Sequence, residues 1–217
     1  KSLSEDQHSG NVSAENPFSG KLSGKEQPGS SSAEEKMIQE ALSSVLTEQQ
    51  ALYLLKNTRI LVPKRRNYYI ETLYSHYAHT LDGTHLDLAR EILEKQCPDD
   101  LNAFDQVMKE KSGWMFNMFL MERKLFCSYC SWLFPILEEL ERRVDTSAMT
   151  GFEKRYIGRV SELLLNVWLF RGLQTGNLKN EDIREIPHMQ PGGENWGKKI
   201  SSFVQAKFFG KKYKESF

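Results

Sequence analysis

The sequence is poor in cysteine, carries no net charge and lacks long apolar runs. Its 29 basic side chains balance 29 acidic ones, so it lacks the excess positive charge that is typical of nucleic-acid-binding proteins. No apolar run reaches the roughly 18 residues of a membrane span, and the first ten residues contain no apolar segment of a signal peptide. These absences predict a cytosolic protein whose partners do not include nucleic acid.

The cysteines, Cys97, Cys127 and Cys130, argue against a disulfide framework, because their number is odd and the chain is of medium length. Cys127 and Cys130 have the spacing of a zinc-binding pair, but structural zinc needs further ligands and the sequence contains no second pair. The apolar periodicity around them is helical. We therefore interpret both thiols as core residues of a helix.

Composition divides the chain into three parts. Residues 1–32 are rich in Ser, Gly, Asn and Lys and predict a flexible segment. Residues 33–172 combine helical periodicity with short apolar runs and predict one α/β domain. In residues 173–217 a loop leads to a tail in which aromatic residues alternate with lysines. Such a tail suits an anionic membrane surface, and packing of the tail on its own domain is the alternative.

Apolar residues spaced three and four apart predict that much of the chain is helical. Thr47 and Gln50 have the spacing of a capping box and predict a helix that starts there. We expect further helices at residues 85–95, 101–108, 124–144 and 151–170. On the last of these, Arg155, Arg159 and Glu162 share one face, either as surface ion pairs or as a carboxylate held by arginines at the mouth of a site.

The most informative stretch follows a short apolar run at residues 60–62, which we interpret as the end of a buried strand. The stretch is rich in cations, phenols and imidazoles: Lys64, Arg65, Arg66, Tyr68, Tyr69, Tyr74, His76, Tyr77 and His79. Ligands bind at strand ends in α/β proteins, and guanidinium groups and aromatic rings suit an anionic ligand that contains a ring. The alternative is a solvated basic turn followed by an aromatic helix packed on the core.

Residues 112–121 form a nearly continuous apolar run and predict a buried central strand with one amide, Asn117, inside it. A buried amide without partners costs about 1–3 kcal/mol. Asn117 must therefore either bond to the backbone or face a cavity and a ligand.

Four segments resemble a bacterial family of capsular and exopolysaccharide glycosyltransferases that includes galactofuranosyltransferase-like members: residues 61–92, 112–134, 158–169 and 206–217. Residues 10–17 resemble the N-terminal motif of the same family. The resemblance implies a GT-A-like α/β fold, rich in helices, that binds a nucleotide-diphosphate sugar at its strand ends. The strands that surround the N-terminal motif in the family have no counterpart in this sequence. We therefore expect the donor-binding half to be truncated at its N-terminal side.

The resemblance also implies chemistry for particular residues. Glycosyl transfer releases a diphosphate with extra negative charge. Positive charge to neutralise it could come from Arg65, Arg66, His76 and His79. Glu162 is our first choice for the base that takes the proton of the acceptor hydroxyl, and Glu71 is the second. We assign substrate binding to the four cationic residues and to three others: Tyr68, Asn117 and Arg159.

The sequence and the resemblance also give expectations for the cofactor and the partners. The sequence has no Asp-x-Asp pair at a strand end, so we name no metal ligand, and a requirement for Mn or Mg stays open. The implied partners are a UDP-sugar donor, a lipid-linked glycan acceptor and the inner face of the plasma membrane. The tail would bind the enzyme to that membrane surface. The alternative function is an inactive remnant that serves as a binding or membrane-docking module.

Overall fold

The computed structural model describes residues 45–188, so the predicted flexible segment and the lysine-rich tail lie outside the described residues. The described part contains six α-helices: α1 (Glu48–Leu54), α2 (Leu73–Thr80), α3 (Thr84–Gln96), α4 (Leu101–Val107), α5 (Arg123–Arg143) and α6 (Tyr156–Gln174). Its strands are short: β1 (Ile60–Pro63), β2 (Arg66–Asn67), β3 (Ser112–Gly113), β4 (Leu120–Met121) and β5 (Ile183–Ile186). The expectation of a helix-rich α/β unit is confirmed.

Most predicted helices are confirmed within one or two residues of their expected ends. The capping box at Thr47 is present, with the Gln50 backbone N–H donating to the Thr47 hydroxyl at 3.3 Å and the Gln50 side chain accepting from the Thr47 N–H at 3.0 Å. Helices α3, α4 and α5 follow their predicted ranges. Helix α6 begins later than predicted, because a 3₁₀ turn at Glu153–Arg155 precedes it.

The buried strand predicted at residues 60–62 is confirmed as β1, which lies at the centre of a three-stranded sheet. Strand β4 pairs antiparallel to it, with Leu61 opposite Leu120. Strand β5 pairs parallel to it on the other side, with Val62 opposite Glu185. Beyond β1, strand β2 pairs antiparallel with β3 and forms a second, two-stranded sheet. The basic-aromatic stretch therefore starts where a buried strand ends.

The prediction of one continuous strand over residues 112–121 is wrong. The run forms the two short strands β3 and β4, separated by a loop at residues 114–119. Phe116 and Asn117 have φ angles of 78° and 50°, in the left-handed region, and two such residues in succession cannot belong to an extended strand. The apolar composition of the run reflects packing of this loop against the core, with Trp114 and Met115 buried.

The core lies where α3, α4, α5 and α6 pack together. The predicted inner face of α3 is confirmed, since its buried side chains are His85 and the apolar Leu86, Ala89, Ile92 and Leu93. Helix α6 is buried along its middle, from Val160 to Val167. A helix surrounded on several sides has no solvated face, so the polar residues within it need partners inside the protein.

The interpretation of Cys127 as a core residue is wrong, because its side chain is exposed, while Cys130 is half-buried. The inner face of α5 is formed by Tyr129, Leu133, Ile136 and Leu140. Cys127 falls off that face at the helical spacing of 3.6 residues per turn. Within residues 45–188, no helix is long and apolar enough to span a membrane.

Candidate functional site

The turn between β2 and α2 positions the basic-aromatic residues. A capping box starts α2, in which the Thr72 hydroxyl accepts from the Ser75 N–H at 3.0 Å and the Ser75 hydroxyl accepts from the Thr72 N–H at 2.9 Å. Glu71 immediately precedes this cap and is buried, with 7% of its surface exposed. Residues of the first two turns of α2 therefore face the Glu71 carboxylate.

Glu71 binds two imidazoles at once. Its Oε2 lies 2.9 Å from His76 Nδ1, and its Oε1 lies 2.5 Å from His79 Nδ1. Burial alone would raise the pKa of Glu71, but the hydrogen bonds from His76 and His79 outweigh it and hold that pKa below its usual value. Since an ionised carboxylate only accepts hydrogen bonds, each Nδ1 carries a proton that points at Glu71.

His76 is mainly neutral in this arrangement. Burial lowers its pKa, and the charges of Arg66 and Arg159 act in the same direction, against the raising effect of Glu71. A neutral imidazole that donates through Nδ1 has its acceptor nitrogen at Nε2. Glu71 therefore fixes both the tautomer and the orientation of His76.

Tyr68 lies between a guanidinium group and an imidazole. Its ring centroid is 4.0 Å from that of His76, and the Arg66 guanidinium lies 5.5 Å from the centre of the Tyr68 ring. Burial raises the pKa of the Tyr68 hydroxyl, and the charges of Arg66, Glu162 and Arg159 also act on it. Because these three charges act on one hydroxyl, the residues that lead into α2 and the first turns of α6 surround one small volume.

Glu162 is the buried carboxylate on the α6 side of this volume, with 8% of its surface exposed. Arg159 Nη1 lies 3.4 Å from its Oε2, and the backbone N–H of Phe116 also donates to the carboxylate. Burial raises the pKa of Glu162, although Arg159 and the Phe116 N–H lower it. A carboxyl group with a raised pKa is suited to accept and release a proton near neutral pH.

Asn117 connects the left-handed turn to α6. Its Nδ2 donates to the Gly158 carbonyl at 2.8 Å, and its Oδ1 accepts from the Ser161 hydroxyl at 3.0 Å. Of the two alternatives for Asn117, the structure favours bonding within the protein, although the side chain is exposed and not buried as the sequence suggested. This turn also holds Phe116, whose N–H reaches Glu162, and strained backbone of this kind is concentrated at functional sites.

Arg65 is not brought into this cluster. Its guanidinium stacks on the Trp114 ring at 4.0 Å and lies 3.8 Å from Glu185 of β5. Adjacent residues in an extended segment point in opposite directions, so Arg65 and Arg66 face different neighbours. Of the predicted site residues, Arg66, Tyr68, Glu71, His76, His79, Arg159 and Glu162 are brought together, with Asn117 at the edge.

Sequence reasoning missed several residues that support the site. Asn166 Oδ1 accepts from the Trp114 N–H at 2.8 Å, and its Nδ2 donates to the Trp114 and Glu162 carbonyls at 2.8 Å each. Ser161 holds Asn117, and the Phe116 ring lies 5.9 Å from the Arg66 guanidinium. The signal for Asn166 was its position in an apolar helix four residues after Glu162, where an amide must find partners.

The described residues do not form a recognisable metal site. Within residues 45–188, no group of three or more His, Cys, Asp or Glu side chains could hold a metal ion. Both oxygens of Glu71 are used by imidazoles, and Asp87 on the neighbouring helix α3 accepts a hydrogen bond from the Tyr74 hydroxyl at 3.0 Å. The donor set present in these residues therefore does not fit a divalent cation.

Comparison with solved structures finds a glycosyltransferase. The chain is similar to the apo structure of the WbbM bifunctional glycosyltransferase, with 26% sequence identity and a TM-score of 0.60. The similarity covers 68% of this chain and 28% of that one, so this chain spans less than a third of the other protein. No curated protein matches the sequence.

A family profile gives the broader relationship. The family described as "Domain of unknown function (DUF4422)" matches residues 22–172. These residues include β1, the cluster around Glu71 and most of α6, and they make up more than half of the sequence. The chain therefore belongs to the DUF4422 family.

Proposed function

We propose that this chain is a glycosyltransferase domain that moves a sugar from a nucleotide-diphosphate donor to a glycan acceptor. The observation that supports it best is the cluster of Arg66, Tyr68, His76, Arg159 and Glu162 around Glu71. In this cluster, side chains suited to bind an anionic leaving group lie next to a buried carboxylate with a raised pKa. It lies in a chain whose fold resembles that of a glycosyltransferase.

The donor pyrophosphate binds between Arg66 and Arg159 in this proposal. The charges of both guanidinium groups influence the pKa values of the same two side chains, Tyr68 and His76. An anion bound beside these side chains would therefore interact with both arginines. His79, with 41% of its side chain exposed, is more accessible to a ligand than His76, with 28% exposed. These groups stabilise the negative charge that develops as the diphosphate leaves.

Glu162 takes the proton of the acceptor hydroxyl. Its raised pKa keeps it basic enough to accept that proton, and the Phe116 N–H and Arg159 hold its orientation. Glu71, the second choice from the sequence, has both oxygens bound to imidazoles, so it acts by positioning His76 and His79.

The finer identity of the reaction rests on the sequence resemblance. We propose UDP-linked galactofuranose as the donor and a lipid-linked glycan of capsular or exopolysaccharide synthesis as the acceptor. The enzyme would then work at the inner face of the plasma membrane, with its lysine-rich tail on the lipid surface. A requirement for Mn or Mg would need ligands from the substrate or from residues beyond 45–188.

A thermal-shift titration with UDP and UDP-sugars, with and without manganese, tests donor binding. A ligand at a hundredfold excess over its dissociation constant stabilises the fold by about 2.7 kcal/mol, which is a readily measured rise in melting temperature. Arg66→Ala should abolish the rise, while Arg142→Ala, an exposed arginine at the far end of α5, should leave it unchanged. A folded protein whose melting temperature no nucleotide changes would contradict the proposal.

Replacement of Glu162 tests the chemical step. Glu162→Gln keeps the shape of the side chain and an oxygen for the Phe116 N–H, but it removes the base. We expect the transfer rate to fall by about 10²–10⁴-fold while the UDP-induced thermal shift is retained. The control is Glu94→Gln on the exposed side of α3. A Glu162→Gln enzyme with the transfer rate of the unsubstituted protein would exclude Glu162 as the base.

A further inference from the structure

A strained tyrosine lies between two residues of the candidate site. Tyr68 packs on His76, Glu71 binds both imidazoles, and Tyr69 directly follows Tyr68 in the turn that leads to α2. The φ angle of Tyr69 is 55°, in the left-handed region. A large side chain raises the free energy of that conformation, whereas glycine adopts it readily. The protein therefore carries backbone strain at a residue that adjoins its candidate site.

Hydrogen bonds on both sides of Tyr69 fix this conformation. The Tyr68 carbonyl accepts from the N–H of Ile70 at 2.6 Å and from the N–H of Glu71 at 3.4 Å, which makes a tight turn. The Tyr68 N–H donates to the Lys111 carbonyl at 2.8 Å. Turns with a positive φ at their second residue usually have Gly, Asn or Asp there. A glycine would satisfy this turn with less strain, so the backbone does not explain the tyrosine.

The fold does not use the side chain of Tyr69 either. The residue is 76% exposed, and within residues 45–188 its ring has no aromatic, cation–π or hydrogen-bond partner. Backbone strain of this kind is concentrated at active sites and ligand-binding segments. An exposed aromatic ring on a fixed backbone offers a surface on which a flat ligand ring can stack. Contact with a ligand is therefore the role to which this side chain is suited.

The proposed donor would bring a nucleoside to this ring. In the proposed arrangement the pyrophosphate binds between Arg66 and Arg159, and the donor sugar lies toward Glu162, because the hydroxyl that Glu162 deprotonates attacks that sugar. The nucleoside is attached to the other end of the pyrophosphate and extends away from Glu162. Tyr69 adjoins Tyr68, whose ring lies 5.5 Å from the Arg66 guanidinium, and consecutive Cα atoms are only about 3.8 Å apart. The Tyr69 ring is therefore within reach of a nucleoside whose phosphates contact Arg66.

We propose that Tyr69 binds the base of the nucleotide donor by stacking. Every nucleic-acid base has a flat face that stacks on an aromatic ring, and the contact does not need the tyrosine hydroxyl. The hydrogen-bonded turn fixes the backbone of Tyr69 in advance, so less conformational freedom is lost on binding. The inference rests on the proposed function, which supplies the nucleotide, and adds the residue that holds its base.

Calorimetric titration of the full chain with UDP and with inorganic pyrophosphate tests the inference. Tyr69→Ala should weaken UDP binding by about 5- to 150-fold, which corresponds to the 1–3 kcal/mol of a stacked base. Pyrophosphate has no base, so its affinity should stay unchanged. Tyr69→Phe keeps the ring face and should bind UDP like the unsubstituted chain. The matched control is Tyr53→Ala, which removes a 70% exposed tyrosine from α1 and should change neither affinity.

A glycine at the same position separates binding from folding. Tyr69→Gly removes the ring but accepts the left-handed backbone, whereas Tyr69→Ala removes the ring and keeps the strain. Both variants should lose the same share of UDP affinity. The glycine variant should melt about 2–4 °C above the alanine variant. Loss of UDP binding in the glycine variant then reports on the missing ring and not on a damaged fold.

Each outcome bears on the inference. Alanine and glycine variants that bind UDP as tightly as the unsubstituted chain would overturn it, while the proposed function would stand on the effect of Arg66→Ala. Equal loss of UDP and pyrophosphate affinity would also overturn it, because the ring would then act through the phosphate site. Weaker binding of a UDP-sugar without weaker binding of UDP would assign the ring to the sugar instead. An unsubstituted chain that binds no nucleotide would contradict the proposed function and the inference together.

Discussion

At the scale of single residues, Asn117 shows how side-chain bonds hold strained backbone next to a candidate base. Its φ of 50° is tolerated by asparagine better than by residues with larger Cβ crowding, and two side-chain hydrogen bonds fix it to α6. Phe116, with a φ of 78°, is held in turn by the bond from its N–H to Glu162. The turn therefore depends on contacts distant in sequence.

Two substitutions at Asn117 separate the hydrogen bonds from the backbone strain. Asn117→Gly loses both side-chain bonds but accepts the left-handed conformation, whereas Asn117→Ala loses the bonds and adds strain. We expect both to lower the free energy of unfolding, and the alanine variant to be the less stable by about 1 kcal/mol. Urea unfolding measures the difference. Equal stability of the two variants would show that residue 117 is not left-handed in solution.

The burial of His76 predicts how stability depends on pH. Burial lowers the pKa of His76 from its usual 6.5, so the folded protein binds fewer protons there than the unfolded chain. The stability that the neutral form of His76 gives to the folded protein is fully present above about pH 6.5. It is lost as the pH falls toward the pKa of His76 in the folded protein. The lowered pKa of Glu71 has the same sign and takes effect at still lower pH, below about 4.3, the usual pKa of an unfolded glutamate.

Urea unfolding between pH 8 and pH 5 measures this effect. His76 makes the free energy of unfolding flat at the alkaline end and falling on the acidic side of about pH 6.5, whereas Glu162, whose pKa is raised, contributes in the opposite direction on that side. His76→Gln removes the imidazole, so its free energy of unfolding should fall less over the same interval. Parallel curves for the two proteins would assign the pH dependence to other groups.

At the scale of elements, the end of α6 shows how closely a helix packs on the chain that follows it. A Cβ on Gly172 would lie 2.7 Å from Cδ1 and 2.9 Å from Cγ of Leu178, which is buried. A Cβ on Gly158, near the start of the same helix, would meet nothing within 4 Å. The two glycines of one helix are thus present for different reasons.

Alanine substitutions at these glycines should have opposite effects. Gly172→Ala forces Leu178 to move and should lower the free energy of unfolding by about 1–3 kcal/mol. Gly158→Ala adds only helix propensity and should raise it by about 0.5–1 kcal/mol. Thermal and urea unfolding of the pair check both signs. A Gly172→Ala protein as stable as Gly158→Ala would contradict the close packing at Leu178.

The elements that sequence alone predicted are those with local signals. Strand β1 follows from a short apolar run before Pro63, and α3 from apolar residues at helical spacing. The loop at 114–119 was missed because its left-handed turn is stabilised by Gly158, Ser161 and Glu162, more than 40 residues away. An apolar run gives no local sign of such bonds, so it was interpreted as a strand.

The same distinction applies to the candidate site. The residue types after β1 predicted a basic and aromatic cluster, and the structure brings four of them together around Glu71: Arg66, Tyr68, His76 and His79. Two features depended on detail beyond the pattern. The capping box at Thr72 places Glu71 against His76 and His79, and the alternation of the extended chain directs Arg65 onto Trp114 and away from Arg66.

At the scale of the whole molecule, one buried amide joins the parts that form the site. Asn166 of α6 holds both backbone groups of Trp114, whose indole N–H donates to Glu185 of β5 at 2.9 Å. Arg65, at the end of the β1 segment, stacks on the same indole. The central sheet, the loop that presents Phe116 and the helix that presents Glu162 are therefore connected through Asn166 and Trp114.

Replacement of Asn166 should consequently affect the whole fold. Asn166→Leu has a similar volume but leaves the buried N–H and carbonyl of Trp114 without partners, at about 1–3 kcal/mol for each. We expect a large drop in the urea midpoint of unfolding, measured by tryptophan fluorescence. The control, Asn102→Leu on the exposed side of α4, should change the midpoint little. If the two variants unfold at the same urea concentration, the sheet and α6 are held together by apolar packing alone, and the site does not depend on this amide for its assembly.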